Sequence, residues 1–346
     1  MLIPFLFLSN AANAANITAL PPQYRGDVAI AYRATVVPDT LEEDGVSVGE
    51  RRSTTHRLEY STLFSVTDYL AVQIVLPHTA RQTIQFSDSN AMVYDPIDQT
   101  GTMRNTSAIG DSTRSGSGLE GTRLRIVGTP FSESVFAARG DQVSWLIGVG
   151  FQVRDDSSFW TVADGERGAG PASSAFELDS TWSADHQYAS PYIGVSWIRR
   201  SPHSDGQVPI KDPSDLVLFS GLEIPIFEDP NWADGLGTEL TMDLSGRFGY
   251  HTYGDGVSGV LLPTTLPMST GKAVTQSEAS SLWGHMDVRW RAARYIDWSL
   301  NTAVGGVFGH RLEHHYPVRT VTAGKVGWSA GTTVTFRARD PLFDAR

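Results

Sequence analysis

The stretch GTELTMDLSGRFGY, residues 237–250, sets apolar side chains at Leu240, Met242, Leu244, Phe248 and Tyr250 against polar ones at Glu239, Thr241, Asp243, Ser245 and Arg247. Successive side chains of a β-strand leave opposite faces, so a period of two gives this strand one face for oil and one for water. The same alternation predicts strands near 27–37, 52–66, 69–86, 119–128, 142–154, 174–184, 188–200, 214–226, 236–250, 282–293, 296–312 and 321–338. Their connections alternate in length. The odd-numbered ones run to about 14, 32, 19, 13, 31 and 8 residues, the even-numbered ones to about 2, 13, 3, 9 and 2. A soluble sandwich has no physical reason to gather its long loops at one end. A bacterial membrane barrel does, with short periplasmic turns and long outer loops. The expected fold is therefore all-β: a single closed antiparallel transmembrane β-barrel of about 12 strands, both termini on the short-turn side.

Composition agrees. Strand-like text runs through the 346 residues without a linker, and 33 glycines, 9 tryptophans and 11 tyrosines suit many turns and two membrane interfaces. No run of 18 apolar residues exists and mean hydropathy is −0.18, which excludes a helical span. The absence of cysteine removes disulfides, thiolate metal sites and cysteine nucleophiles. A net charge of −11 argues against nucleic acid as a partner. The opening MLIPFLFLSNAANA leads a short apolar run into Ala12-Asn13-Ala14, an A-x-A cleavage pattern without the preceding basic residues. The expected organisation is a signal peptide over 1–14 (truncated at its start), a periplasmic segment over 15–26, the barrel over 27–338 and a periplasmic tail over 339–346.

Taking the more apolar phase as outward puts residues such as Val28, Ile30, Leu58, Leu76, Ile147, Leu218, Val288 and Leu300 against lipid, with Tyr32, Tyr60, Trp145, Trp182, Tyr250, Trp290, Trp298 and Trp328 as interface aromatics. The opposite phase carries the charges. An Arg or Lys facing mid-bilayer lipid costs about 2–4 kcal/mol, so these belong inside. The lumen-lining candidates are Arg57, Glu59, Arg123, Arg125, Glu177, Asp179, Glu239, Asp243, Arg247, Asp287, Arg289 and Lys325, joined by Asp27, Arg33, Arg154, Glu223 and Asp297. Both signs are interspersed. Two readings stay open: an ion-paired filling that stiffens a narrow barrel, or a polar conduit whose charged rungs select a solute.

Few residues suggest reaction chemistry. A serine hydrolase needs a serine, a base and an orienting partner at the outer rim, and no G-x-S-x-G motif is present. His310, His314 and His315 beside Glu313 are a histidine cluster, yet a solvated loop explains them better than a metal. No metal and no cofactor is expected. The loop 251–281 holds VLLPTTLPM, whose Leu261, Leu262, Leu266 and Met268 are candidates for a greasy outer mouth or for packing on the barrel rim.

Two resemblances add to this. Ser329-Ala330-Gly331-Thr332-Thr333-Val334-Thr335-Phe336 resembles the assembly signal of bacterial outer-membrane proteins, which implies the barrel assembly machinery as a partner. YSTLFSVTDYLAVQIVLPH (60–78), with Val66-Thr67-Asp68 at the turn and Leu76-Pro77 closing the second strand, resembles a hairpin of the outer-membrane transporters associated with phenol degradation, grouped loosely with long-chain fatty acid channels. Gly118-Leu119-Glu120-Gly121 before Leu124 and Ile126 is similar to that family's G-x-G-D strand opening and departs from it at Glu120-Gly121. The resemblance implies passive passage of a small or hydrophobic solute through the outer membrane of a Gram-negative bacterium, among outer-membrane lipids and lipopolysaccharide. The alternatives are an outer-membrane lipid-modifying enzyme of phospholipase or deacylase type, and a closed structural or adhesion barrel.

Overall fold

The computed structural model describes residues 20–21, 23–43, 46–88, 92–94, 103–105, 112–131, 143–153, 173–184, 188–205, 208–229, 238–257, 273–293, 295–313 and 319–338. Twelve antiparallel strands form the wall: β1 (Gly26–Glu43), β2 (Val46–Thr67), β3 (Leu70–Asp88), β4 (Ser112–Leu119 continued by Thr122–Phe131), β5 (Val143–Val153), β6 (Ala175–Ala184), β7 (Ser190–Arg200), β8 (Asp215–Asp229), β9 (Thr238–His251), β10 (Ala279–Ala293), β11 (Ile296–Phe308) and β12 (Gly327–Ala338). Each pairs with the next. β12 then returns to β1, from Gly26↔Ala338 to Val36↔Trp328. The ring is closed, as a sheet in hydrocarbon must be, because an open edge there would strand backbone donors and acceptors.

Its surface is the reverse of a soluble protein's. Leu124, Leu282 and Val304 are 48, 56 and 57% exposed, while Arg123, Glu59 and Asp297 on the opposite phase are 4, 5 and 4% exposed. Aromatics border the apolar band at the short-turn end. Trp145 stacks on Trp182 at 4.7 Å, and Trp290 meets its cross-strand partner Trp298 edge-on at 6.4 Å. The polar ends of two of these rings are satisfied: Trp145 Nε1 donates to Ser180 Oγ at 2.9 Å and Trp298 Nε1 to Thr332 Oγ1 at 2.7 Å.

The sequence placed several strand ends wrongly, for one reason. β1 and β2 run to Glu43 and from Val46, so residues 44–45 separate them rather than a loop of about fourteen. Beyond the apolar band the outward face is polar as well as the inward one, where Asp39 and Arg51 stay buried, so the alternation of the sequence fades while the hydrogen-bond ladder continues. The strand expected over 321–338 is two pieces, Arg319–Gly324 and β12. The expected long outer loops also hold ordered strands. Gly254–Val257, Ala273–Gln276, His310–Glu313 and Arg319–Gly324 pair in series and join upper β1. With upper β2, β3 and the first segment of β4 they raise the wall well above the rim, whereas β5, β6 and β7 stop at it.

Two irregularities shape the tall side. In β3 the register shifts between Thr79 and Gln82 against β4, a bulge that exposes both Ala80 and Arg81 and reverses the inward phase from odd to even numbers. In β4 the break at Glu120-Gly121 lies beside Pro77, whose carbonyl accepts the Glu120 N–H at 2.9 Å. Gly121 has φ +92°, and a Cβ there would sit 2.5 Å from the Val153 carbonyl oxygen, so only glycine fits. At the short-turn end the chain entering β1 folds under the barrel. Tyr24 N–H donates to the Ser65 carbonyl at 2.9 Å, and Leu20 packs on the inward Leu63 and Ala71.

Candidate functional site

The inward phase of the twelve strands forms a charged interior arranged in tiers. At the short-turn end β8 to β12 contribute one network: Arg289 Nη2 lies 3.5 Å from Glu223 and 3.7 Å from Glu239, Arg291 lies 2.7 Å from Glu239 and 3.2 Å from Asp297, and Arg337 pairs with the other Asp297 oxygen. The middle tier crosses β2 to β6. Arg57 lies 3.4 Å from Glu59 and 3.2 Å from Glu120. Arg125 pairs with Asp179, lies 4.0 Å from Glu177 and donates to Gln73 Oε1 at 2.8 Å. Glu120 also accepts from Thr79 Oγ1 at 2.6 Å.

Register explains why these groups meet. Asp179 stands opposite Gly148 and Glu177 opposite Gly150, and the missing side chains leave room for Arg125 and the carboxylates to converge. Arg33 and Arg57 are directly opposed on β1 and β2, a like-charge pairing that is unfavourable by itself and is offset by Glu59 and Glu120 beside Arg57. Across the barrel Tyr192 donates to Asp243 Oδ1 at 2.9 Å, and the Arg247 guanidinium lies 5.9 Å from the Phe219 ring centroid. Phe219 and Tyr192 occupy the space above Gly194 and Gly221.

The outer tier includes residues that sequence reasoning missed. On β1 and β2 Arg51 grips one oxygen of Asp39, at 3.0 Å from Nε and 2.5 Å from Nη2. On β7 to β10, Arg200 Nη2 lies 2.7 Å from Asp215, Asp215 lies 2.7 Å from His251 Nδ1, and His251 Nε2 lies 3.3 Å from Ser281 Oγ. Asp215 is the cross-strand partner of His251, and Ser281 that of Gly249, so the imidazole leans over the glycine to reach the hydroxyl. No motif announces this row, because its members come from four strands and only the register assembles them.

Of the lumen-lining candidates, Arg57, Glu59, Arg123, Arg125, Glu177, Asp179, Glu239, Asp243, Arg247, Asp287 and Arg289 all sit on the inward phase, buried or half-buried. Lys325 does not. It stands in the short link before β12 with its side chain 45% exposed, 2.5 Å from the still more accessible Glu50, because the wall at that point has already risen out of the apolar band. Arg154, Leu261, Leu262, Leu266 and Met268 lie outside the described residues, as do His314, His315, the segment 1–19 and the tail 339–346.

No protein-family model matches the chain, and no curated protein matches it. Solved structures similar to it include an outer membrane channel from Pseudomonas putida F1, with 12% identity, a TM-score of 0.49 and coverage of 92% of this chain and 97% of that one. A FadL homologue from Pseudomonas aeruginosa gives 11%, 0.42, and 95 and 93%. The outer membrane protease OmpT from Escherichia coli gives 9%, 0.27, and 92 and 97%. At these identities no activity is carried across.

Proposed function

We propose that the protein is an outer-membrane channel of a Gram-negative bacterium, passing a small, hydrophobic or amphipathic solute without energy coupling. The observation that supports this most is the unbroken run of inward charge, from Arg337 and Asp297 at one end through Arg57 and Arg125 to Asp39 and Arg200 at the other. A barrel that needs only filling has a simpler solution. Replacing buried ion pairs with apolar groups of similar volume is often neutral or stabilising by about 1–4 kcal/mol. Charge retained through the full membrane height fits a path that polar atoms must traverse, where diameter and lining groups set selectivity.

Planar-bilayer recording of the full chain tests the reading: stepwise currents are expected. In Arg123→Ala/Arg125→Ala/Arg289→Ala, the loss of three inward cations should move selectivity towards cations. Unchanged selectivity in that variant, or a silent wild type, rules out the conduit and leaves the ion-paired filling. One observation favours a second reading. Asp215, His251 and Ser281 have the spacing of orienter, base and nucleophile in serine hydrolases. Against it, Ser281 is only 2% exposed and Asp215 is shared with Arg200. Covalent labelling of Ser281 by a fluorophosphonate, abolished in Ser281→Ala, would establish the hydrolase in place of the channel.

A further inference from the structure

The outer face of β1 to β3 changes character over a single level. Below it lie Ile30, Tyr60, Ile74 and Leu76, each 40–44% exposed and in the apolar band. At it, Tyr32 OH meets His56 Nδ1 at 2.7 Å, and His56 stands opposite Arg81 across the ladder. Above it Arg52 faces outward, four residues and about 13 Å along the strand from His56. Arg81 is there only because of the β3 bulge: without the extra residue its odd-numbered phase would turn it inward. Neither arginine has a carboxylate partner among the described residues. Glu50, the acid nearest along β2, is taken by Lys325.

Resting on the reading of the chain as an outer-membrane barrel, we propose that Arg52 and Arg81, with His56 and Tyr32, form a docking surface for the phosphates of bis-phosphorylated lipid A in the outer leaflet. Charge and depth both point to this occupant. Two outward arginines with no carboxylate partner among the described residues stand on the wall of a protein whose net charge is −11, at the level where acyl chains give way to headgroups. Basic clusters at that depth attract anionic headgroups, and an arginine fork matches a phosphate bidentately. The apolar strip beneath receives the acyl chains.

Native mass spectrometry of the full-length protein in detergent, titrated with bis-phosphorylated lipid A, tests this. Arg52→Gln/Arg81→Gln should bind about thirtyfold more weakly than the wild type, from roughly one kcal/mol for each arginine. Dephosphorylated lipid A should fall with it, and Arg81→Lys should retain most binding. Equal binding by the double variant overturns the proposal. So does equal binding of the dephosphorylated lipid, or of phosphatidylglycerol, to the wild type. Heat-modifiable gel mobility of each variant shows that the barrel is folded. A protein that stays soluble without detergent would instead overturn the membrane-barrel reading, which is a separate result.

Discussion

The wall of β1 to β3 and the wall of β5 to β7, separated by β4 alone, differ almost twofold in height: 18, 22 and 19 residues against 11, 10 and 11. The short strands are about what a tilted strand needs to cross the hydrocarbon. The long ones cross it and continue as a sheet in water. Outward positions on the low wall therefore meet lipid for nearly their whole length, while those on the tall wall divide at Tyr32 and His56. Inside, both walls carry charge.

The largest effect should separate inside from rim. Asp297 holds Arg291 and Arg337 and is 4% exposed, so Asp297→Ala leaves the half-buried Arg337 guanidinium without its carboxylate, while Arg291 keeps Glu239. Breaking a buried pair costs about 3–5 kcal/mol, whereas Lys325→Ala on the exposed rim pair should cost no more than about 1 kcal/mol. Urea unfolding of the lipid-embedded barrel measures both. Equal values would mean that water reaches Asp297 as freely as it reaches Lys325.

A smaller effect separates the two outer surfaces. Val149→Arg, outward on β5 within the apolar band, should cost about 2–4 kcal/mol, because the new cation meets acyl chains. Thr83→Arg, outward on β3 above the bulge, should stay within about 0.5 kcal/mol, because it meets water. The same unfolding titration reads both. A large cost for Thr83→Arg would place the hydrocarbon boundary higher on the tall wall than Tyr32.

How much the sequence disclosed follows the same division. Over β5, β6 and β7 the expected spans 142–154, 174–184 and 188–200 differ from the observed strands by one or two residues at most. There, lipid on one side and polar contacts on the other enforce alternation at every position. Over upper β1 and β2 nothing enforces it, and the strands ran on unseen. The inward charges were legible because a lone Arg123 or Glu177 has no place in oil. Their partners were not: Arg125 meets Asp179 across 54 positions, and Arg81 is turned outward by one inserted residue. Both depend on register, which alternation alone does not set. Lys325 was misread for the converse reason, since a charge in phase with β12 need not lie within the membrane.

The smallest predicted effect concerns the aromatic border of the low wall. Trp145 and Trp182 are cross-strand partners on β5 and β6, stacked with an interplanar angle of 10°, and Trp145 Nε1 reaches Ser180. Removing the stack in Trp145→Leu keeps an apolar outward residue, so the transfer term changes little and the specific ring contact is lost. Such a contact contributes about 0.5–1.5 kcal/mol beyond burial. Trp182→Leu should cost somewhat less, because only Trp145 also loses a hydrogen bond to Ser180, and the double variant should cost less than the two added together, because the second change removes a contact already gone. Additive costs would mean that each ring is anchored by the interface alone. The two walls would then differ in height and not in how their lower borders are held.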